Sequence, residues 1–468
     1  MHSRKPALGF ILITTALDVL GFGLLIPVGP RLVMSLLHGP HGAAATEAQA
    51  EPYVGGLQAT FFAMTFLFAP LLGALSDRVG RRPVLLISLF GSGLDYVAMA
   101  LAPTLWILFI TRIINGLSGA SFTVVNAYIA DVTPREKRAA AFGMVGAAFG
   151  LGFIIGPVVG GVLGDSSLHI PLIGHGNIRY PFYAAAGLTL INWLYGFVVL
   201  PESLPPERRN PINPKRANPL GSLHGLGRYP LVAELAASLF LLNMAQFGLH
   251  ATWVLYTAYR FQWTPSDVAY SLGLVGIGAA VVQGGLARRL IPMLGEKRAL
   301  LIGIAIGACA YLGYGLSTHG WMIYAIIAVA SLGSIGQPAA QALITHTVRP
   351  EEQGAVQGTL TSLNSIAGII GPIIGAAAFT YFISDHAPFQ LPLKMNAGAP
   401  FFASALLSAL ALGVAIWAVK RHGHEAHLDH GATCANCGHD LKGSTASVCP
   451  ECGKPIPARS PADAAAIH

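Results

Sequence analysis

The sequence predicts an all-α membrane protein, with twelve transmembrane helices in two parallel six-helix halves (the major arrangement) and a small four-cysteine zinc-ribbon tail, and three observations predict it. Of 468 residues 53% are hydrophobic and 10% charged, with a mean hydropathy of +0.59, whereas water-soluble domains carry about 25% charged residues. Apolar stretches of about 20 residues recur, each long enough to cross a ~30 Å hydrocarbon core as a helix. Three motifs then return 215 or 216 residues later: Gly80-Arg-Arg-Pro-Val-Leu-Leu-Ile as Gly295-Glu-Lys-Arg-Ala-Leu-Leu-Ile, Val132-Thr-Pro-Arg-Glu as Val348-Arg-Pro-Glu-Glu, and Ile155-Gly-Pro-Val-Val-Gly as Ile370-Gly-Pro-Ile-Ile-Gly.

Between polar breaks the spans are drawn at 7–31, 53–75, 84–102, 105–131, 139–163, 181–200, 231–259, 268–291, 299–318, 321–346, 355–382 and 399–419. No cleavable signal peptide is expected, because the first apolar segment contains Asp18 and runs far beyond a signal core. An even count puts both termini on one side. Of the 28 Lys and Arg, 20 then fall on that side, which makes it the cytoplasmic face of an inner or plasma membrane. The net charge of +7 is thus an orientation signal. The organisation is a first half at 1–200, a Pro- and charge-rich cytoplasmic linker at 201–230, a second half at 231–420, a His-rich linker at 421–433, the ribbon at 434–456 and a disordered end at 457–468. Two halves related by an axis along the membrane normal is the plan of a rocking transporter with its small-molecule site between them.

The loop Gly73-Ala-Leu-Ser-Asp77-Arg78-Val-Gly80-Arg81-Arg82-Pro83 lets two helices turn tightly at glycine, with Asp77 able to pair with an Arg across the turn. It resembles the second-to-third-helix signature of the major facilitator superfamily. That resemblance implies a conformational latch made by Gly73, Asp77, Arg78, Gly80, Arg81 and Arg82, with Asp131 as the partner of the Arg cluster. The fifth-helix run Gly146, Gly150, Gly152, Gly156, Pro157 and Gly160 spaces small residues so that helix backbones can touch, and Pro157 is expected to bend the helix where the halves meet. The run looks like the signature of drug/proton antiporters; a packing seam is the plainer reading. From about Ala7 to Trp417 the chain is similar to tetracycline-efflux proteins, most clearly in Gly93-Leu-Asp-Tyr-Val-Ala-Met-Ala and Thr111-Arg-Ile-Ile-Asn-Gly.

Asp18, Asp95 and Arg112 fall inside the first, third and fourth spans. A charge at the bilayer centre costs ~2.5–3.5 kcal/mol even on a lenient scale, so such groups face a cavity or each other. The resemblance implies that Asp18 and Asp95 lie on the substrate and proton path, with Arg112 moving a carboxylate's proton affinity as the halves rock; an Asp–Arg pair pinning helices is the alternative. One departure stands out: tetracycline-efflux relatives carry an acid in the ninth helix, and no Asp or Glu occurs here between Ala299 and Thr318. Glu234 is expected to be the only acid in a second-half helix, near the interface. His250, Gln246, Gln337 and Gln341 are the second-half candidates for the path, helix-to-helix hydrogen bonding being the other reading.

In the tail, Cys434-x2-Cys437 and Cys449-x2-Cys452 form two knuckles, each followed by Gly, whose four thiolates fit one tetrahedral structural Zn²⁺ in a reducing compartment. Such a ribbon could also engage a protein partner. Only three basic residues lie beyond Arg421, so no nucleic acid is expected. Neither covalent catalysis nor a phosphate-binding Gly-x4-Gly-Lys-Ser/Thr loop is indicated. The expectation is therefore no enzyme, but an exporter of a small amphipathic, tetracycline-like drug by proton antiport, with no cofactor for transport. A proton-independent or metabolite facilitator, and a membrane-anchored zinc-ribbon sensor or scaffold, are the alternatives.

Overall fold

The computed structural model describes residues 8–37, 45–119, 121–133, 138–171, 173–209, 229–348, 353–383 and 396–422. The four zinc-ligand candidates, Cys434, Cys437, Cys449 and Cys452, lie outside them.

The first half contains α1 (Leu8–Leu25), α2 (Gly29–Leu36), α3 (Glu47–Val79), α4 (Arg81–Leu101), α5 (Leu105–Gly119), α6 (Ser121–Val132), α7 (Arg138–Gly164) and α8 (Tyr180–Val199). The second contains α9 (Pro230–Phe261), α10 (Pro265–Val281), α11 (Ala287–Leu294), α12 (Glu296–Leu316), α13 (Gly320–Ser331), α14 (Gly336–Thr347), α15 (Gln353–Ile383) and α16 (Ala399–Arg421). Among the described residues eight stretches are long and apolar enough to cross a bilayer, or nine when the bent pair α1–α2 is one span; Leu105–Leu117, Gly150–Gly164 and Pro265–Val281 are shorter apolar helices.

Helix ends depart from the hydropathy breaks for local reasons. The first expected span, 7–31, is a helix that breaks at Pro27, turns by 44° and continues to Leu36; proline has no N–H to carry the ladder through. α3 starts six residues before the expected 53, because Thr46 and Gln49 form a capping box, and this draws Glu51 into the helix. Likewise α10 and α12 begin early enough to include Asp267 and Glu296, so Glu234 is not the only acid in a second-half helix. Both acids sit in a first helical turn, where the helix dipole favours them.

The repeat is structural. Gly80 and Gly295 have φ of +115° and +77°, each ending one helix and starting the next, a backbone that side-chain-bearing residues rarely adopt. These two turns mark one end of the bundle, the near end.

Within the first half α7 lies on α1 through glycine: a carbon added at Gly156 would stand 2.8 Å from Gly23 Cα, and one at Gly152 2.7 Å from Val19 Cγ1. Gly160 abuts the Leu24 carbonyl. The halves do meet along α7, but on a different face from these glycines: Gly152, Gly156 and Gly160 pack inside their own half, while Ile154, Val158 and Gly161 touch Gly276, Gly273, and Pro265 with Ala269 of α10. Gly150 has nothing within 4 Å, and Pro157 sits inside a continuous α7.

The halves join at the far end. There α3 meets α15 where Gly55 approaches the Pro372 carbonyl, and α7 meets α10. Polar bonds cross the same seam. Arg31 donates to the Trp263 carbonyl, the buried Asp165 accepts from Ser266 N at 3.4 Å, and Thr380 Oγ1 donates to the Ala48 carbonyl at 3.3 Å.

Candidate functional site

Below that sealed end the halves enclose a cavity of about 1010 Å³. Its walls are mostly apolar, with Phe22, Phe61, Phe62 and Phe153 from the first half and Phe247, Trp253, Tyr311 and Tyr314 from the second. The rings of Phe62 and Phe247, one from each half, stand 4.5 Å apart. Toward the near end the lining passes to Gln337 and Gln341 of α14 and Gln357 of α15.

Arg112, from α5, is the charged residue in this wall, and no Asp or Glu lines it among the described residues. Its Nη2 lies 3.6 Å from Asp95 Oδ2 and 2.6 Å from the Met99 sulfur, while its Nε is buried with no partner. Asp95 stands behind it on α4, 2% exposed, and its Oδ2 accepts from Asn115 Nδ2 at 2.6 Å. Of the two candidate acids it is thus Asp95 that meets Arg112. Asp18 is not in the cavity wall; it is half-buried on α1, within electrostatic reach of Tyr96.

In the second half, Gln246 Nε2 and His250 Nε2, one turn apart on α9, are 2.8 Å apart, and the Tyr311 hydroxyl donates to Gln246 Oε1 at 3.0 Å. With its oxygen accepting, the Gln246 amide donates to a neutral His250 nitrogen. All three line the cavity. Tyr311 comes from α12, the helix without the family's acid, and sequence reasoning passed over it because a tyrosine in an apolar run reads as one more aromatic. Glu234 lies away from the cavity, tying α9 to α16 through Arg421 at 3.5 Å and His422 at 3.3 Å.

At the near end Arg81, its side chain 10% exposed, bonds Asp77 at 2.6 Å and Asp131 at 3.2 Å. It also reaches Ser76 Oγ, on the turn that Gly73 starts, at 2.6 Å. Arg82 donates to the Phe197 carbonyl at 2.7 Å, and Arg78 is exposed. The predicted partnership of Arg81 with Asp131 is therefore in place, within the first half. A further member escaped sequence reasoning. Glu202, assigned to the linker, accepts from Arg81 N at 2.8 Å and Arg82 N at 3.3 Å, closing the open N-terminus of α4. A side chain at Gly80 would run into that carboxylate.

The far-end closure has its own electrostatics. Burial alone would raise the Asp165 carboxyl, but hydrogen bonds from the Ser167 hydroxyl and amide and from Ser266 outweigh it and hold it at about 2.

A profile of the Major Facilitator Superfamily matches residues 11–372 and 293–434. The chain is 40% identical over 373 residues to the tetracycline resistance protein, class C, of Escherichia coli, covering 80% of this chain and 89% of that one. It is 34% identical to the class B protein of Escherichia coli, covering 79% and 88%. Among solved structures it is similar to the human organic anion transporter MFSD10, with a TM-score of 0.64 at 26% identity, covering 89% of this chain and 100% of that one. It shares the fold of an inward-facing bacterial homolog of the human lysosomal transporter Spinster, with a TM-score of 0.65 at 17% identity, covering 88% and 96%.

Proposed function

This chain belongs to the Major Facilitator Superfamily, and from that membership we propose that it exports a small amphipathic drug by proton antiport, rocking about a central site. It is an integral membrane transporter and not an enzyme. In the proposal the nine long spans, with the bent pair α1–α2 taken as one, and the three shorter apolar helices make twelve, with both termini and the near end cytoplasmic. The observation that carries the reading is the cavity between two repeated halves, closed at one end by contacts between α3 and α15 and between α7 and α10. Rocking would break that seam and close the other end.

Asp18, Asp95 and Arg112 in the first half, and the Tyr311–Gln246–His250 chain in the second, are the proposed proton and substrate path. Arg81 with Asp77, Asp131 and Glu202 is the proposed latch. The tail is proposed to hold one structural Zn²⁺ on Cys434, Cys437, Cys449 and Cys452, from their spacing, and to offer a face for a protein partner.

The experiment uses inverted membrane vesicles holding a proton gradient. Adding tetracycline, the compound named for the relatives, or another aromatic drug should dissipate the gradient, and Asp18→Asn should abolish the effect. Flux that ignores the gradient would instead assign a facilitator, the reading favoured by the lack of an acid within the middle of α12.

A further inference from the structure

The charge pattern of the cavity selects among amphipathic compounds, an inference that rests on the export reading above. We propose that the compound bound here is an aromatic monoanion, its acid group on Arg112 and its ring system against the joined Phe62 and Phe247 rings.

Arg112 has more donors than its surroundings use. A guanidinium carries five N–H bonds in a fork that fits a carboxylate. Here one nitrogen faces the sulfur of Met99, a weak acceptor, and Nε is buried with no acceptor at all. Asp95 does not satisfy it, since 3.6 Å is too long for a hydrogen bond and the nearer oxygen is already held by Asn115. The side chain of Arg112 is 13% exposed, and it lines the cavity while that of Asp95 is 0% exposed and does not. A bound compound therefore meets the cation and not its counter-ion.

The rest of the wall agrees. No carboxylate among the described lining residues could receive a cationic head group or a divalent-metal chelate. In the second half Tyr311, Gln246 and His250 already bond in a chain, and the other polar lining groups, among them Asn243, Gln337 and Gln341, are uncharged. Phe62 and Phe247 come from different halves, so a ring lying against both couples binding to their relative position.

Three probes with one body and different heads test this: 1-pyrenebutyrate, 1-pyrenebutanol and 1-pyrenebutylamine. Their binding to the purified full chain in detergent is followed by energy transfer from tryptophan, with detergent alone as background. Pyrenebutyrate is expected to bind about ten-fold more tightly than pyrenebutylamine, a difference that one charge-assisted pair supplies. Arg112→Gln is expected to erase that preference, and Arg112→Lys to retain the order. The order on the unaltered chain needs no variant, so a misfolded Arg112→Gln does not spare the proposal. Equal or tighter binding of the amine overturns it, as does a pyrenebutyrate affinity indifferent to Arg112→Gln. Proton-coupled drug flux in vesicles with the amine preferred leaves export standing and removes the anion; Arg112-dependent pyrenebutyrate binding with no proton-coupled flux does the reverse.

Discussion

Glu296 meets His346 at 3.5 Å in the second half, 215 residues after Arg81 and Asp131, which meet at 3.2 Å in the first. The repeat keeps the contact and exchanges the places of acid and base, with a histidine in place of the arginine. It does not keep the burial: the Arg81 side chain is 10% exposed and that of His346 63%. An exposed pair is worth little, whereas a buried guanidinium stripped of its partner is left with unpaired charge.

The two pairs should accordingly respond differently to mutation. Asp131→Asn is expected to lower the initial rate of export into inverted vesicles by about ten-fold, as loss of a partly buried charged pair does. Glu296→Gln should stay within about two-fold. Equal losses would mean that both turns latch.

The glycine seam gives a sharper contrast. Gly156→Val would drive a side chain into Gly23 Cα, 2.8 Å from the first added carbon, while Gly150→Val meets open space. Overpacking costs about 1–3 kcal/mol, so the thermal midpoint of purified Gly156→Val should fall by several degrees and that of Gly150→Val should not move.

At the far end, Asp165 caps the first turn of α10 from the opposite half. Its carboxyl is held at about 2, below the ordinary 3.8. The Ser167 bonds lie within the first half, so only the part of that depression due to the second-half Ser266 and Thr264 favours closure, a part present above the ordinary value and lost as pH falls toward about 2. Closure should thus be constant from about pH 5 to 8, and Asp165→Ala should open this end at every pH in that range. Labelling of a single cysteine placed at Gly273, which faces Val158 across the seam, reads this directly; labelling unchanged by Asp165→Ala would sink the idea.

In the second half, Gln246→Leu removes the group shared by Tyr311 and His250 and leaves both without their bond. Proton-coupled flux is expected to fall by more than about five-fold, with Tyr311→Phe, which breaks one bond only, milder. Indifference to both variants would return these residues to a packing role.

For the tail, the purified chain is expected to carry about one zinc per molecule by elemental mass spectrometry, the number four thiolates hold. Replacing Cys434 and Cys437 by Ser should remove it and leave flux intact. Retained zinc would place the metal elsewhere.

Much of this was legible before any coordinates. Apolar length and the 215-residue offset carry the helical plan, because a span must satisfy its own backbone in lipid and a duplicated turn must keep its glycine. Asp18, Asp95 and Arg112 stand out from their cost alone, but which Asp meets the Arg is read only from the fold. What escaped depends on partners distant in the chain. Nothing in the sequence marks Glu202 or Asp165; each closes a helix end, 121 residues back to Arg81 in one case and 101 forward to Ser266 in the other. Tyr311 acquires a role only beside Gln246. Asp18, singled out for the same reason as Asp95, sits on α1 outside the cavity wall, since cost identifies a special residue without saying where it faces.

The far-end bonds of Arg31 and Asp165 end on main-chain groups, the Trp263 carbonyl and the Ser266 amide. No side-chain substitution at 263 deletes that carbonyl, and at 266 only proline would delete the amide. The two sides of this seam therefore depend on side chains differently: the bonds need the side chains of Arg31 and Asp165 but only the main chain at 263 and 266, where Trp263 is held instead by its packing on Phe261 and Tyr324. A saturation scan for drug resistance would register this as a demand for a specific polar group at 31 and 165 and for aromatic bulk at 263.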